Sequence, residues 1–406
     1  MAIMAALFPD VFRNPTIRVS MLAIFAYGFS GAATSPYQSV IGIRELGLSN
    51  GVYSTLMFAA AAVNVIVSIL AGNLADRLGE YRSMMLTVTV FGVLGYGTVY
   101  LFPAQATFVL SALFLLPIYN AINSLLFANV RAKTRDMSRQ EVTSVNSGVR
   151  AMISLSWVLV PGVTGALLSQ SSSMLPAYLF AALAALACLT LIAAFLPRQT
   201  GTDGAASHHL SYLAALGEVI SPRVFIRVVA VAMISSTLQI NGAILPLIVT
   251  GPAHGAVTDI GVLVGIVAFL EIVFIFVWGR IQRIINHVTA LALGTGIYVI
   301  YLTMLGFAAA PWHVYALTLL SGVGAAALIS IPITYLQDLI EERPGLGSAL
   351  ISVNIFMSAG LSAVLFAIGT GVSSYSGTAI LGAAAGTIGL CLLFFFDGTK
   401  RSRTTR

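Results

Sequence analysis

Charge is what this sequence has least of. Only 8% of its 406 residues are Asp, Glu, Lys or Arg, against about 25% in a soluble domain. A soluble chain of this length would make two or three domains and need a charged surface for each. The 20 basic and 14 acidic side chains present cannot supply one. Disorder is excluded from the opposite direction, because it requires low hydrophobicity and high charge, whereas 58% of these residues are apolar. Cysteine is nearly absent. Cys188 and Cys391 each lie in an apolar run without metal-type spacing, so both are expected as buried core residues and no metal site is expected. There is no HExxH, CxxC, GxSxG or GxxxxGK[ST], so neither an enzyme nor a cofactor is expected. The formal charge of +6 does not imply nucleic acid, because the basic residues are spread thinly and form no cluster. Met1–Phe8 is apolar but has no preceding Lys or Arg and no small-residue cleavage site, so it is not read as a signal peptide.

What the sequence has in quantity is long apolar runs. A membrane-crossing helix needs about 20 mostly apolar residues, and twelve segments qualify: 17–42, 51–74, 83–102, 107–130, 142–168, 174–196, 224–250, 258–279, 288–309, 313–339, 346–371 and 376–396. Barrel strands would be about half that length and alternating. The expected fold is therefore an all-α membrane protein, its backbone groups satisfied within each helix. Pro36, Pro161, Pro246 and Pro332 mark expected kinks.

Orientation follows from Lys and Arg. With both termini inside, every basic residue but Arg44 and Arg150 falls on the inner side, which is 18 of the 20. Both termini are thus expected in the cytoplasm. The longest inner connection, 197–222, is rich in Gly, Thr, Ser and Asp and carries His208-His209 without a third ligand nearby. It reads as a solvated linker. The expected organisation is an N-terminal six-helix bundle over 1–196, the linker, and a C-terminal six-helix bundle over 223–406 ending in a short basic tail.

An even division suggests duplication. Gly72 and Gly279 end spans 2 and 8, 207 positions apart, and Ser144-Val145-Asn146 and Ser352-Val353-Asn354 open spans 5 and 11, 208 apart. Asn64 maps onto Glu271 at the same offset of 207. Six spans per half give parallel, pseudo-symmetric bundles related by an axis along the membrane normal, an arrangement that holds its substrate near mid-bilayer between the halves.

Gly72-Asn73-Leu74-Ala75-Asp76-Arg77-Leu78-Gly79 after span 2 resembles the G-x-x-x-D-R-x-G signature of the major facilitator superfamily. The resemblance implies that Asp76 docks at the start of span 11, with Arg77 part of the same inner gate. Glu80 and Tyr81 stand before Arg82, where the family usually has basic residues directly after the second Gly. Arg150–Val158 with Pro161-Gly162, Tyr335–Leu339 ahead of Gly347-Ser348-Ala349, and Leu270-Glu271-Ile272 resemble the bacterial sugar efflux transporters of that superfamily. This implies export of sugars or small glycosides across the bacterial inner membrane, against proton entry. It also implies that spans 5, 8 and 10 meet where the halves join.

A charge at mid-bilayer costs about 2.5–3.5 kcal/mol on insertion scales. Apolar surroundings penalise the charged form of a carboxyl, so Glu271, deep in span 8, suits reversible protonation and is a candidate for proton or substrate binding. Asp338 in span 10 is the second proton candidate. Arg150 and Asp338 lie at comparable depth and form a candidate pair, either an inner gate or a static bridge. Arg150 could instead reach Glu271 or the substrate. Gln38, Asn64, Asn120, Asn123, Gln239, Asn241 and Asn354 offer donors and acceptors suited to hydroxyls, with Gln337 a further amide at span depth. Tyr37, Tyr119, Trp157 and Tyr335 offer faces on which a sugar ring could stack. Amides at these depths also join helices. Glycines 92, 95, 97, 322, 324, 382 and 386 allow close helix contacts, for sliding or for plain packing. The expected partners are a sugar or glycoside, protons and the bilayer, and the expected assembly is a monomer. Two other readings are an exporter of drug-like amphipathic compounds and a non-transporting membrane sensor with this fold.

Overall fold

The computed structural model describes residues 15–78, 81–134, 137–197, 222–339 and 344–397. Among the described residues there are no strands, and twelve helices are long and apolar enough to cross a membrane. In chain order they are α1 (Pro15–Glu45), α2 (Asn50–Leu78), α3 (Tyr81–Leu101), α4 (Gln105–Arg131), α5 (Arg139–Leu168), α6 (Pro176–Phe195), α7 (Pro222–Val249), α8 (Val257–Ile281), α9 (His287–Leu305), α10 (Thr318–Asp338), α11 (Pro344–Val372) and α12 (Tyr375–Asp397). Large side chains such as Ile66, Leu70, Phe276 and Phe395 point outward, a surface that only lipid can solvate.

Local chemistry sets the helix ends. Ser138 Oγ accepts from the Glu141 amide while Glu141 Oε2 accepts from the Ser138 amide at 2.8 Å, a reciprocal cap that starts α5. Asn286 Oδ1 accepts from the Thr289 amide at 2.7 Å and starts α9; Asp259 Oδ2 accepts from the Ala256 amide at the start of α8. Three of the four kink prolines, Pro161, Pro246 and Pro332, sit inside helices. Pro36 lies in a 3-10 turn, Ser35–Tyr37, that interrupts α1. Two π-helical turns follow, Ile41–Glu45 in α1 and Ser111–Leu115 in α4; such turns open the helical ladder and often accompany function.

The chain forms two compact units, Met1–Gly47 with Ala62–Ser207, and Leu48–Ala61 with His208–Arg406. In the first, α1 packs on α5 and α6, and α3 on α4 and α6. In the second, α7 packs on α11 and α12, and α9 on α10 and α12. The neighbours of α1 and α3 in one unit thus correspond to those of α7 and α9 in the other. The starts of α2 and α8, Asn50 and Val257, are 207 positions apart, the offset expected of the repeat. The second unit includes the opening turns of α2. There Asn50 Oδ1 accepts from the Tyr375 hydroxyl at 3.0 Å, and the Tyr53 and Phe58 rings lie 5.6 and 6.2 Å from those of Phe366 and Phe356.

Several expectations change. The helix of span 2 runs on through Asp76 and Arg77 to Leu78, so these residues end a helix and do not begin a loop. The surroundings of Gly72, the side chains of Asp76 and Arg77, the Gly79-Glu80 pair, and most of the 197–222 linker with its two histidines lie outside the described residues. Span 10 is broken at Leu317 into Pro311–Ala316 and α10. Cys188 is buried, but Cys391 is exposed; an apolar run in a membrane helix has a lipid face as well as a core face, and Cys391 sits on the lipid face. Gly92 meets the Tyr119 ring so closely that a Cβ would lie 2.5 Å from it, while nothing lies within 4 Å at Gly97. Where these glycines matter, they admit a neighbour within one unit.

Candidate substrate and proton site

In the first unit, polar side chains from three helices converge. Asn120 of α4 donates through Nδ2 to Asn64 Oδ1 of α2 at 3.3 Å, and Tyr27 of α1 reaches Asn120 Oδ1 with its hydroxyl in a long contact of 3.5 Å. Asn123, one turn further along α4, has a buried Oδ1 with no partner among the described residues. A buried acceptor left empty costs about 1–3 kcal/mol, which a bound hydroxyl would recover. Gln38 is half-buried just after the break in α1. Trp157 is half-buried against Ala32, Ala33 and Val160.

In the second unit, the Tyr301 hydroxyl of α9 donates to Asn241 Oδ1 of α7 at 2.9 Å. Ser321 of α10 is in reach of both Tyr301 and Tyr298. Tyr298 in turn lies within electrostatic range of Glu271. Glu271 is the fifteenth residue of the 25 in α8, which is the most apolar of the twelve helices. It is half-buried and has no hydrogen bond or ion pair among the described residues. Leu270 beside it fills the space left by Gly322 of α10, which fixes α8 on α10 at this level. Asn354 of α11 donates to Ser235 Oγ of α7 at 3.2 Å and keeps a buried, unpartnered Oδ1. Gln239 is exposed.

The charged candidates sit elsewhere. Asp338 is the last residue of α10, with a side chain 45% exposed, and its partner is His287 Nε2 of α9 at 3.1 Å. It is at a helix end, shallower than its place in the apolar run suggested. The other ring nitrogen of His287 is 3.0 Å from Gln282 Oε1. Arg150 is exposed. At the same end of the second unit, Asp397 of α12 pairs with Arg227 of α7 at 3.0 Å and accepts from the Tyr335 hydroxyl at 2.9 Å.

Three of the four aromatic residues expected to stack on a ring are committed to the protein. Tyr37 is fully buried and its hydroxyl donates to the Pro161 carbonyl at 2.8 Å. Tyr119 is fully buried between the edges of Tyr27 and Tyr96. Tyr335 is buried on Asp397. Tyr27, Ser235, His287, Tyr301, Ser321 and Asp397 were not singled out in the sequence. Each makes its contact with a residue of another helix, and no local pattern marks it.

The Major Facilitator Superfamily matches residues 20–250. The chain belongs to the major facilitator superfamily. It is a multi-pass membrane transporter of that superfamily and not an enzyme. It is similar to sugar efflux transporter C of Escherichia coli, with 24% identity over 96% of this chain and 98% of that one. It is also similar to the quinolone resistance protein NorA of Staphylococcus aureus, with 22% identity over 80% of this chain and 83% of that one. The superfamily fold is matched by the crystal structure of the nucleoside transporter NupG at a TM-score of 0.81 and 13% identity, covering 95% of this chain and all of that one.

Proposed function

We propose that this transporter exports sugars or small glycosides across the bacterial inner membrane by proton antiport, with both termini in the cytoplasm. The single observation that carries the proton part is Glu271, a carboxyl at the middle of the most apolar helix with no hydrogen bond or ion pair among the described residues. Holding a charge there is costly. Binding a proton removes that cost, so the residue is suited to alternate between charged and neutral forms as its surroundings gain and lose water. Loading from the acidic outer side neutralises Glu271 and eases the return of the empty carrier. Opening to the less acidic cytoplasm releases the proton.

The sugar part is supported by the chain-long similarity to sugar efflux transporter C and by the amides. Unpartnered oxygens on Asn123 and Asn354 can accept from hydroxyls. Asn64, Asn120 and Asn241, already in side-chain networks, can rearrange toward a ligand that replaces one contact. Gln38, Gln239 and Trp157 complete the candidate set. The six-and-six bundles are the two bodies of alternating access. Asp76, Arg77, Arg150 and Asp338 are the gating candidates on the cytoplasmic side, the last through the His287 pair.

Drug export is the second reading, favoured by the similarity to NorA. Equilibrium counterflow in proteoliposomes separates the two. Labelled glycoside should enter vesicles preloaded with unlabelled glycoside, and a lipophilic cationic dye should not compete. Competition by the dye without glycoside counterflow would select the drug reading, and binding without movement of either would indicate a sensor.

A further inference from the structure

On the outer surface of the first unit, α1, α5 and α6 enclose a cavity of about 670 Å³. Its wall is apolar (Leu22, Phe25, Met152, Leu155, Leu191 and Phe195 among others) except for Arg18 at one end. A second cavity of about 490 Å³ between α1 and α6 shares Leu22, Phe25 and Leu191 with the first and continues to Phe29 and Phe180. The two form one groove. From Arg18 to Phe29 it follows eleven residues of α1, or about 16 Å at 1.5 Å per residue. That is the hydrocarbon depth of one leaflet, about half of 30 Å. The groove is therefore shaped like a lipid tail and, among the described residues, carries one exposed cation in its lining, Arg18, at its mouth where α1 begins and α6 ends. Arg18 has no ion pair among the described residues and belongs to the basic end of the unit with Arg82, Arg131 and Lys133.

We propose that this groove holds one anionic phospholipid, an acyl chain along α1 and α6 and the phosphate on the Arg18 guanidinium. Guanidinium matches phosphate with paired donors. A zwitterionic lipid would offer the same tail with no net charge to hold at the mouth. The lipid would bridge α1 to α5 and α6, within a unit whose α1 also carries the helix break and the π-helical turn.

Trp157 reports on the far end, since it packs with Phe29 and Phe180 around Ala32, Ala33 and Val160. The full chain carrying Trp278→Phe and Trp312→Phe, verified by monodisperse elution and helical circular dichroism, would be placed in nanodiscs. Brominated phosphatidylglycerol would be titrated into a phosphatidylcholine background, and brominated phosphatidylcholine in parallel. Trp157 quenching should saturate at a lower mole fraction of the brominated anionic lipid. Arg18→Ala, an exposed change that leaves the core untouched, should raise that mole fraction about five-fold, since one interfacial cation contributes on the order of 1 kcal/mol. Ala187→Phe, which fills the groove from α6, should reduce quenching by both lipids. Equal quenching by the two lipids, unchanged by Arg18→Ala, would mean bulk lipid and overturn the proposal. Absence of quenching by either would also overturn it, by showing that something other than lipid covers the groove.

Discussion

At the scale of the residue, the proposed chemistry rests on buried polar atoms without partners among the described residues. Asn123 Oδ1 is buried and free among the described residues, and the neighbouring Asn120 spends its amide on Asn64. If a sugar hydroxyl completes Asn123, Asn123→Ala should weaken binding by about 1–3 kcal/mol, roughly 5- to 150-fold. Isothermal titration with a panel of glycosides measures it, and unchanged affinity for every glycoside bound by the parent would place the site elsewhere. Sequence reading found these amides because amides at span depth are conspicuous. It did not separate Tyr119 and Tyr37, which are buried structural residues, from a ring platform, because an aromatic residue in an apolar run looks the same whether it faces a cavity or a neighbouring helix.

At the scale of the element, helix number and helix ends follow from strong local signals. Length and hydropathy mark the spans, and Ser138 with Glu141 marks the start of α5. Contacts between helices are less legible, since nothing near His287 announces Asp338 and nothing near Arg227 announces Asp397. The Arg227–Asp397 pair joins α7 to α12 with both side chains largely buried. Asp397→Ala would leave a cation without its partner, a loss of about 3–5 kcal/mol when such a pair is broken. The melting temperature in detergent should fall clearly, whereas Asp338→Ala, at the half-exposed pair, should change it little. Glycines divide the same way. Gly92→Ala forces a Cβ into Tyr119 and should cost about 1–3 kcal/mol. Gly97→Ala, in open space, should be neutral or stabilise by up to about 1 kcal/mol. Equal melting temperatures for the two variants would contradict the packing described for α3 and α4.

At the scale of the whole molecule, the duplication was legible because it repeats both an offset and a topology, and α2 and α8 begin 207 positions apart. The assignment of the opening turns of α2 to the second unit was not legible, because side chains such as Asn50 and Tyr53 find their partners, Tyr375 and Phe366, more than 300 positions away. The proposed orientation rests on the distribution of Lys and Arg. Single cysteines in the 197–222 linker, introduced after Cys188 and Cys391 are replaced, should react with an impermeant maleimide only when the cytoplasmic face is opened to it. Those at 251–257 should react in intact cells. Linker labelling in intact cells would invert the topology.

The central claim is that a proton gradient acting through Glu271 drives sugar outward. Its most direct test is accumulation of a labelled glycoside by proteoliposomes whose lumen is more acidic than the bath. Antiport moves protons out of the lumen and sugar into it, so the account predicts accumulation above the bath concentration that a protonophore abolishes. Glu271→Gln keeps the shape of the side chain and cannot ionise, and should lose this accumulation while retaining sugar exchange at equal pH. Accumulation by the Glu271→Gln protein under the same gradient would contradict the claim.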